Sequence, residues 1–223
     1  MSEHIIGTSQ AAIDGYEQQA LHIFARVNER MQQLVTNAFS LTYEGPDAET
    51  VFNPGLVTLA TESVALIDAA VSAFAGAVSA VTSNISHALG AGDIVFVYKP
   101  PPLALPSPPG VAADDYRIDT AAFDRFLAGD LVDAQTAIAS LFAENQAAFG
   151  AIPRATATSP GWSGEARDHA QNVVVPAQTE NLDNILRQVV QQITQFMTGA
   201  RDGTLAADRA GVGGSPGGEV GVR

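Results

Sequence analysis

The feature that most constrains the fold is a run of apolar residues that alternate at steps of three and four for about four heptads. Its apolar positions are Val57, Ala60, Val64, Ile67, Val71, Phe74, Val78, Val81, Ile85 and Ala88. This spacing puts them on one face of a long helix that packs lengthwise on other helices. Asn53 and Pro54 are typical of a helix start, with a start near Asp47 as the alternative, and Gly90 and Gly92 end the pattern.

Three further segments show helical spacing, one before this helix and two after it. The first extends from residue 9 to about residue 40, and the third extends from residue 119 or 120 to about residue 151. The fourth begins after Trp162, with Ser163 as its N-cap, and Pro176 should kink or weaken its first part. Four helices in two pairs predict an all-α protein, an elongated four-helix bundle made of two antiparallel helical hairpins.

The two pairs are separated by a proline-rich segment, 92–119, whose prolines exclude a helix or a central strand. We expect an extended linker that packs along the bundle, with a strand at Ile94–Tyr98 as the alternative. The glycine-rich segment 200–223 has no periodicity, which predicts a disordered tail. The predicted organisation is a first hairpin in 1–91, the linker, a second hairpin in 120–199, and the tail.

The composition sets the character of the core and the surface. Hydrophobic residues make up 46% of the chain but aromatic residues only 7%, so we expect thin helices that meet through alanine and valine. The net charge is −13, which disfavours nucleic acids and anionic membranes as partners. Residues 1–91 hold nine acidic and two basic side chains, so the first hairpin is the more acidic half. With no cysteine, the chain has no disulfide and no thiol nucleophile.

One stretch is apolar enough to be compared with a membrane span. Val64–Val81 contains a single charge, Asp68, together with serines, a glycine and many alanines. These small and polar residues favour a buried amphipathic helix over a transmembrane one. The start of the chain, Met1–His4, lacks the basic and apolar regions of a signal peptide. An exported protein would therefore leave the cell by another route.

No arrangement of residues in the sequence indicates catalysis. The four histidines are too far apart to have metal-ligand spacing, and no phosphate-binding or dinucleotide-binding motif is present. The pairs Asp114–Asp115 and Asp130/Asp133 would need a pocket to act as acid and base. We therefore expect no enzyme activity, no cofactor and no metal.

A three-residue pattern, aromatic-x-Gly, occurs between the helices of both pairs. It reads Tyr43–Gly45 in the first turn and Trp162–Gly164 in the second, at an offset of 119 positions, 43 to 162. An asparagine follows each aromatic residue by ten positions, at Asn53 and Asn172. The matching layout is a signal of internal duplication.

The candidate recognition residues are those of the two turns, Tyr43, Gly45, Trp162, Ser163 and Gly164. Glycine permits the backbone angles of a tight reversal, and the aromatic ring covers the open end of the helix pair. Two roles remain open at this point. The ring either plugs the hairpin alone or is also read by a partner.

A Trp-x-Gly turn between two long helices, in an alanine-rich acidic chain without a signal peptide, resembles the WXG family of type VII (ESX) secretion substrates. Trp162–Gly164 matches the family motif, Tyr43–Gly45 is a degenerate copy, and the likeness covers residues 9–89 and 120–199. The resemblance implies hairpins that pair antiparallel into four-helix dimers. Here two hairpins are fused, so we expect a monomer with the dimer interface inside one chain.

The resemblance also implies a function and a location. The chain would be a secreted substrate, or a targeting or adaptor module, that binds the secretion machinery or a co-secreted helical protein. It would be cytoplasmic before export and secreted or cell-surface afterwards. Ten arginines against one lysine suit an actinobacterial source.

Members of these systems often carry a Tyr-x-x-x-Asp/Glu export signal after a hairpin. The only match here is Tyr43 to Asp47, which falls in the first turn. Either a separate partner supplies the signal or the chain is a relative that is not exported. The alternatives from other classes are a membrane-active or pore-forming helical protein and a purely structural bundle.

Overall fold

The computed structural model describes residues 10–88, 96–159 and 161–213, and four long helices account for most of them. Each of the last three helices contains one five-residue π-helical turn. The helices are α1 (Gln10–Ala38), α2 (Ala48–Phe52 and Asn53–Ala88), α3 (Thr120–Arg125, Phe126–Asp130 and Leu131–Gly150) and α4 (Glu165–His169, Ala170–Val174 and Val175–Gly213). The predicted all-α class is confirmed.

A small sheet lies at the tip of the first hairpin. Strand β1 (Tyr43–Glu44) lies between β2 (Gly110–Val111), which is parallel to it, and β3 (Arg117–Ile118), which is antiparallel. Tyr43 pairs with Gly110 on one side and with Ile118 on the other. The sheet therefore ties the end of the linker to the first turn.

The two hairpins pack across each other and share one hydrophobic core. Helix α1 lies mainly against α3, and α2 lies against α4. The Tyr16 hydroxyl, near the start of α1, donates to Asn145 Oδ1, near the end of α3, at 3.4 Å. Near the start of α2, Gly55 lies against the ring of Phe196, which is in the second half of α4. Both cross-hairpin pairs are therefore antiparallel, and the bundle is continuous.

The core is more aromatic than the composition led us to expect. Nine of the ten phenylalanines are buried, and Phe24 on α1 meets Phe74 on α2 edge to face, with ring centroids 5.7 Å apart. Alanine and valine such as Ala20 and Val71 are buried as expected, but phenylalanine contributes as well. A low aromatic fraction does not mean few aromatic core contacts when nearly every ring points inward.

Two helix starts follow the sequence signals and one departs from them. Helix α2 begins at Ala48, next to Asp47, so the earlier of the two alternative starts is the one observed. Asp119 caps α3, because its Oδ1 accepts a hydrogen bond from the Ala122 N–H at 3.0 Å. Ser163 does not cap α4, since its hydroxyl donates to the Ala155 carbonyl at 3.3 Å instead.

The C-terminal boundary also differs from the expectation of a tail starting at residue 200. Helix α4 continues through residue 200 to Gly213, and residues 214–223 lie outside the described part of the chain. Tertiary contacts hold this extension. Arg201 forms an ion pair with Asp124 on α3, and Thr204 is buried. Packing therefore overrides the low helix propensity of the glycines here.

The π-helical turns of α2 and α4 reveal the internal repeat more clearly than the turn motifs do. Each ends two residues before a proline, Pro54 or Pro176, and closes with an N–H that reaches back five residues, from Asn53 to Ala48 and from Val175 to Ala170. The second helix of each hairpin therefore repeats at an offset of 122 positions, from 48 to 170. This is three positions more than the offset of 119 between the two turn motifs. The predicted disturbance at Pro176 takes the form of this wider turn.

The linker lies in the groove between α1 and α2. Residues 96–109 are neither helix nor strand, so the strand alternative fails for 96–98, while residues 94 and 95 lie outside the described part. Phe96 is buried, and the Tyr98 hydroxyl donates to Asp68 Oδ1 on α2 at 3.3 Å while accepting from Asn28 Nδ2 on α1. The expected extended segment along the bundle is thus observed.

Asp68→Asn is expected to stabilise the protein at pH 7 and to have no effect at pH 3. Burial raises the pKa of the Asp68 carboxyl, against the opposing hydrogen bond from Tyr98. The folded chain therefore favours the protonated form of Asp68. As pH rises through the raised pKa, the carboxyl must ionise in a partly buried place, and the free energy of unfolding falls. Asparagine stays neutral and still accepts from Tyr98. The measurement is thermal unfolding at both pH values. Glu62→Gln, on the exposed face of α2, is the control. The prediction is contradicted if Asp68→Asn is less stable than the unaltered protein at pH 7.

Candidate recognition turns

The second turn is built around Trp162. Its ring is 1% exposed and meets Phe149 of α3 edge to face, with centroids 5.7 Å apart. Phe149 in turn meets Tyr16 of α1 at 5.1 Å. The Trp162 N–H donates to the Pro153 carbonyl at 2.8 Å, which closes the loop between α3 and α4. Trp162 therefore plugs this end of the bundle, where three helices meet.

Two glycines make this turn possible. At Gly161 a Cβ atom would lie 2.5 Å from the Pro153 oxygen and from the Arg154 carbonyl carbon, so no side chain fits. Gly164 has φ 120° and ψ 175°, a backbone conformation that residues with side chains rarely adopt. The glycine of the Trp-x-Gly motif is therefore required by its backbone angles, as the sequence predicted.

Arg167 is the residue of this turn that sequence reasoning missed. Its side chain is 3% exposed, and its Nη2 donates to the carbonyls of Ile152 at 3.0 Å and Gly150 at 3.3 Å. Its Nη1 donates to Gln171 Oε1 at 2.7 Å. The guanidinium thus satisfies carbonyls left free at the end of α3, where a cation is favoured. A basic residue in the first turn after a Trp-x-Gly motif was the available signal.

The charges around Arg167 form a short surface cluster. Burial lowers the pKa of the Arg167 guanidinium, the neighbouring Arg154 adds to the effect, and Asp168 opposes it. Asp168 accepts from Arg154 Nη2 at 2.8 Å, so the carboxylate lies between two cations. The ion pair between Arg154 and Asp168 joins the loop before Trp162 to the start of α4.

The first turn holds Tyr43 in the same way. Tyr43 is 3% exposed and stacks on Phe52 with ring centroids 4.1 Å apart and 6° between the planes. Its hydroxyl donates to Asp47 Oδ1 at 3.0 Å and lies within hydrogen-bonding reach of Thr204 on α4. Burial, the largest cause, raises the pKa of Tyr43 to about 12. The two residues of the export-signal-like spacing are therefore bonded to each other, with the tyrosine ring inside the bundle.

Gly45 is needed for a different reason than Gly164. A Cβ at Gly45 would lie 2.6 Å from Tyr116 Cδ1, because the Tyr116 ring covers this glycine. Among the described residues, Gly164 is the only one with positive φ. Gly45 therefore has ordinary backbone angles, and glycine is needed there because the Tyr116 ring lies too close for a side chain. The two motifs look alike in sequence but use glycine differently.

The two turns lie at opposite ends of the bundle. Tyr43 lies beside the C-terminal part of α4, whereas Trp162 lies beside the end of α3 and the start of α1. They are therefore two separate candidate sites. Both rings are buried, so a partner would contact the backbone and polar groups around them. Within the described ranges, no group of three or more histidine, aspartate or glutamate side chains is placed to hold a metal ion.

Comparison of the chain with protein-family models, with curated proteins and with solved structures found no match. Assignment of a function therefore depends on the residues and geometry of this chain alone.

Proposed function

We propose that this protein is a WXG-like type VII secretion substrate, or a targeting or adaptor module of such a system, that acts through protein-protein interaction. The observation that carries the proposal is the Trp162 turn. A buried tryptophan and a glycine at φ 120° join two long antiparallel helices. The first hairpin occupies the place that a partner hairpin would take in a two-chain dimer.

The arrangement also supports a monomer. Helices α1 and α2 cover α3 and α4 along the seam, so the surface that a separate hairpin would bind is already buried within one chain. The apolar side chains of the seam, among them Ile23, Val71, Leu186 and Val189, are at most 3% exposed. The partner surface we propose is therefore the outside of the bundle and its two ends.

Inactivating the secretion ATPase of the host system is expected to lower the amount of this protein in culture filtrate by at least about tenfold. The reason is that a substrate of the proposed secretion system depends on that motor for export. The measurement is quantitative immunoblotting of filtrate and cells. A protein exported through a signal peptide serves as the control and should be unchanged. Equal amounts of this protein in both filtrates would remove the proposal.

A membrane-active protein is the second candidate, and one observation favours it. Two helical segments, Ala48–Ser83 and Thr120–Gly150, are long and apolar enough to cross a membrane, and only 39% and 28% of their most apolar windows are buried. The outer face of α2 is uncharged over five exposed small residues, namely Ala65, Ala69, Ala73, Gly76 and Ala80. Such residues are weaker membrane anchors than leucine or phenylalanine.

The secretion proposal predicts no dye leakage from liposomes of zwitterionic or anionic lipid between pH 4 and pH 8, because the packed core holds the helices in the bundle. At pH 7 the net charge of −13 also repels anionic lipid. A known pore-forming peptide provides the positive control. Leakage at any pH in this range would favour the second candidate.

A further inference from the structure

The linker occupies its groove like a bound peptide. Two aromatic side chains anchor its first part. Phe96 is 4% exposed and stacks on Phe24, with centroids 6.4 Å apart and 18° between the planes, and it also meets Tyr16 edge to face. Tyr98 meets Phe24 edge to face at 5.7 Å. The groove between α1 and α2 therefore has two adjoining aromatic subsites.

Side chains of α1 and α2 hold the backbone of the linker at three places. Ser79 Oγ accepts from the Phe96 N–H at 2.7 Å and lies 3.2 Å from its carbonyl oxygen. The Gln32 amide pairs with both backbone groups of Ala104, at 2.9 and 2.6 Å. The Asn53 amide pairs in the same way with Gly110, at 2.8 Å for both bonds.

Both amide pairings recognise the backbone of the segment. The Asn53 pairing also requires glycine, because a Cβ at Gly110 would lie 2.5 Å from Asn53 Oδ1. The two pairings match the way strand addition binds peptides, where main-chain bonds supply affinity and pockets supply specificity. At its far end the linker also pairs with β1 through Gly110. The groove therefore contains two aromatic subsites followed by two backbone clamps.

The linker fills this groove incompletely. An open cavity of about 470 Å³ lies beside the Gln32 clamp, and Gln32 itself lines it. The apolar part of its lining includes Met31, Val64 and Leu103, and the polar part includes Glu29 and Thr36. Pro101 is itself exposed, so it places little side chain into this space. A larger apolar side chain at this position would bury more surface than the linker does.

We propose that the groove between α1 and α2 is a binding site for an extended partner peptide and that the linker is its intramolecular competitor. The partner peptide carries two aromatic residues spaced like Phe96 and Tyr98, then an extended proline-containing stretch with a large apolar side chain over the cavity. The tethered linker acts at an effective concentration in the millimolar range, so a partner must bind more tightly than the linker sequence does. The extra apolar side chain supplies that advantage, about ten- to hundredfold.

The test uses fluorescence anisotropy with two labelled peptides, one with the sequence of residues 96–111 and one with the same sequence carrying Pro101→Phe. The protein is the full chain, either unaltered or with Phe96→Ala and Tyr98→Ala to weaken its own linker. We expect the first peptide to bind the altered chain at least tenfold more tightly than the unaltered one. We expect the Pro101→Phe peptide to bind at least tenfold more tightly again.

The matched control adds Gln32→Ala and Asn53→Ala to the altered chain, and it should lose at least tenfold in affinity for both peptides. The proposal is overturned if the peptides bind the unaltered and altered chains with equal affinity. It is also overturned if removing the Gln32 and Asn53 amides leaves the affinity unchanged. Circular dichroism checks that each variant keeps its helices.

A second measurement needs no variant and decides the matter if Phe96→Ala does not fold. Native-state hydrogen exchange follows the N–H groups of Phe96, Ala104 and Gly110, all hydrogen-bonded within the groove. A linker that can be displaced opens without global unfolding, so these groups should exchange at least tenfold faster than the core amides of α1 and α2. Exchange only at the global unfolding rate overturns the proposal.

Discussion

Trp162→Ala is expected to lower the free energy of unfolding by about 3–5 kcal/mol. The ring is 1% exposed and closes the bundle end against Phe149, so its removal leaves a cavity among groups that cannot all collapse into it. Urea unfolding followed by circular dichroism measures the loss. The loss is as large as the whole stability of some domains, so the variant should melt far below the unaltered protein.

Trp162→Phe is the matched control for this prediction. A phenyl ring keeps the edge contact with Phe149 and leaves a smaller cavity, for a loss of about 1–2 kcal/mol. Equal losses for the two variants would show that the indole as such matters. A loss below about 1 kcal/mol for Trp162→Ala would contradict the role of plug.

Gly161→Ala is expected to destabilise the protein by about 3 kcal/mol or more, although it adds only one methyl group. The new Cβ would lie 2.5 Å from the Pro153 oxygen and 2.6 Å from the Ala155 nitrogen. These are backbone atoms, so the loop must move and the hydrogen bond from Trp162 to Pro153 must lengthen or break. The measurement is again the free energy of unfolding in urea.

Gly76→Ala provides the opposite control with the same chemical change. No atom lies within 4 Å of the added Cβ, and the position is exposed in the middle of α2. Alanine is favoured over glycine in a helix by about 0.8–1 kcal/mol, so this variant should be more stable than the unaltered chain. If both alanine variants change stability in the same direction, the steric argument for Gly161 is wrong.

Local signals in the sequence were sufficient to predict the helices and the second turn. The three-four spacing that includes Val64 and Val71 marks a helix that is observed, and the Trp-x-Gly motif marks a turn in which Gly164 does require glycine. The predicted start of the third helix at residue 119 or 120 likewise agrees with the structure, in which Asp119 is the helix cap. These features depend on residues close together in the chain, which is why periodicity and capping rules reach them.

Long-range contacts were beyond such rules. The sequence shows a basic residue, Arg167, just after the Trp-x-Gly motif, but not that its guanidinium turns back to the carbonyls at the end of α3. Likewise, nothing near Gln32 shows that its amide holds Ala104. The offset of the repeat also changes within each unit. The turns align at 119 and the helices at 122, because five positions separate Tyr43 from the π-helical turn at Ala48 but eight separate Trp162 from the one at Ala170, where the helical segment Glu165–His169 comes first.

The pairing of α1 with α3 has a consequence for the order of folding. Tyr16 and Asn145 are separated by 129 positions, and Arg26 and Glu144 by 118, so a large share of the stabilising contacts have high contact order for a helical protein. During synthesis the first hairpin emerges without the helices that cover it. Its apolar faces remain open until residue 150 has left the ribosome. We therefore expect the nascent first half to expose apolar surface, of the kind that chaperones bind, until α3 and α4 cover it.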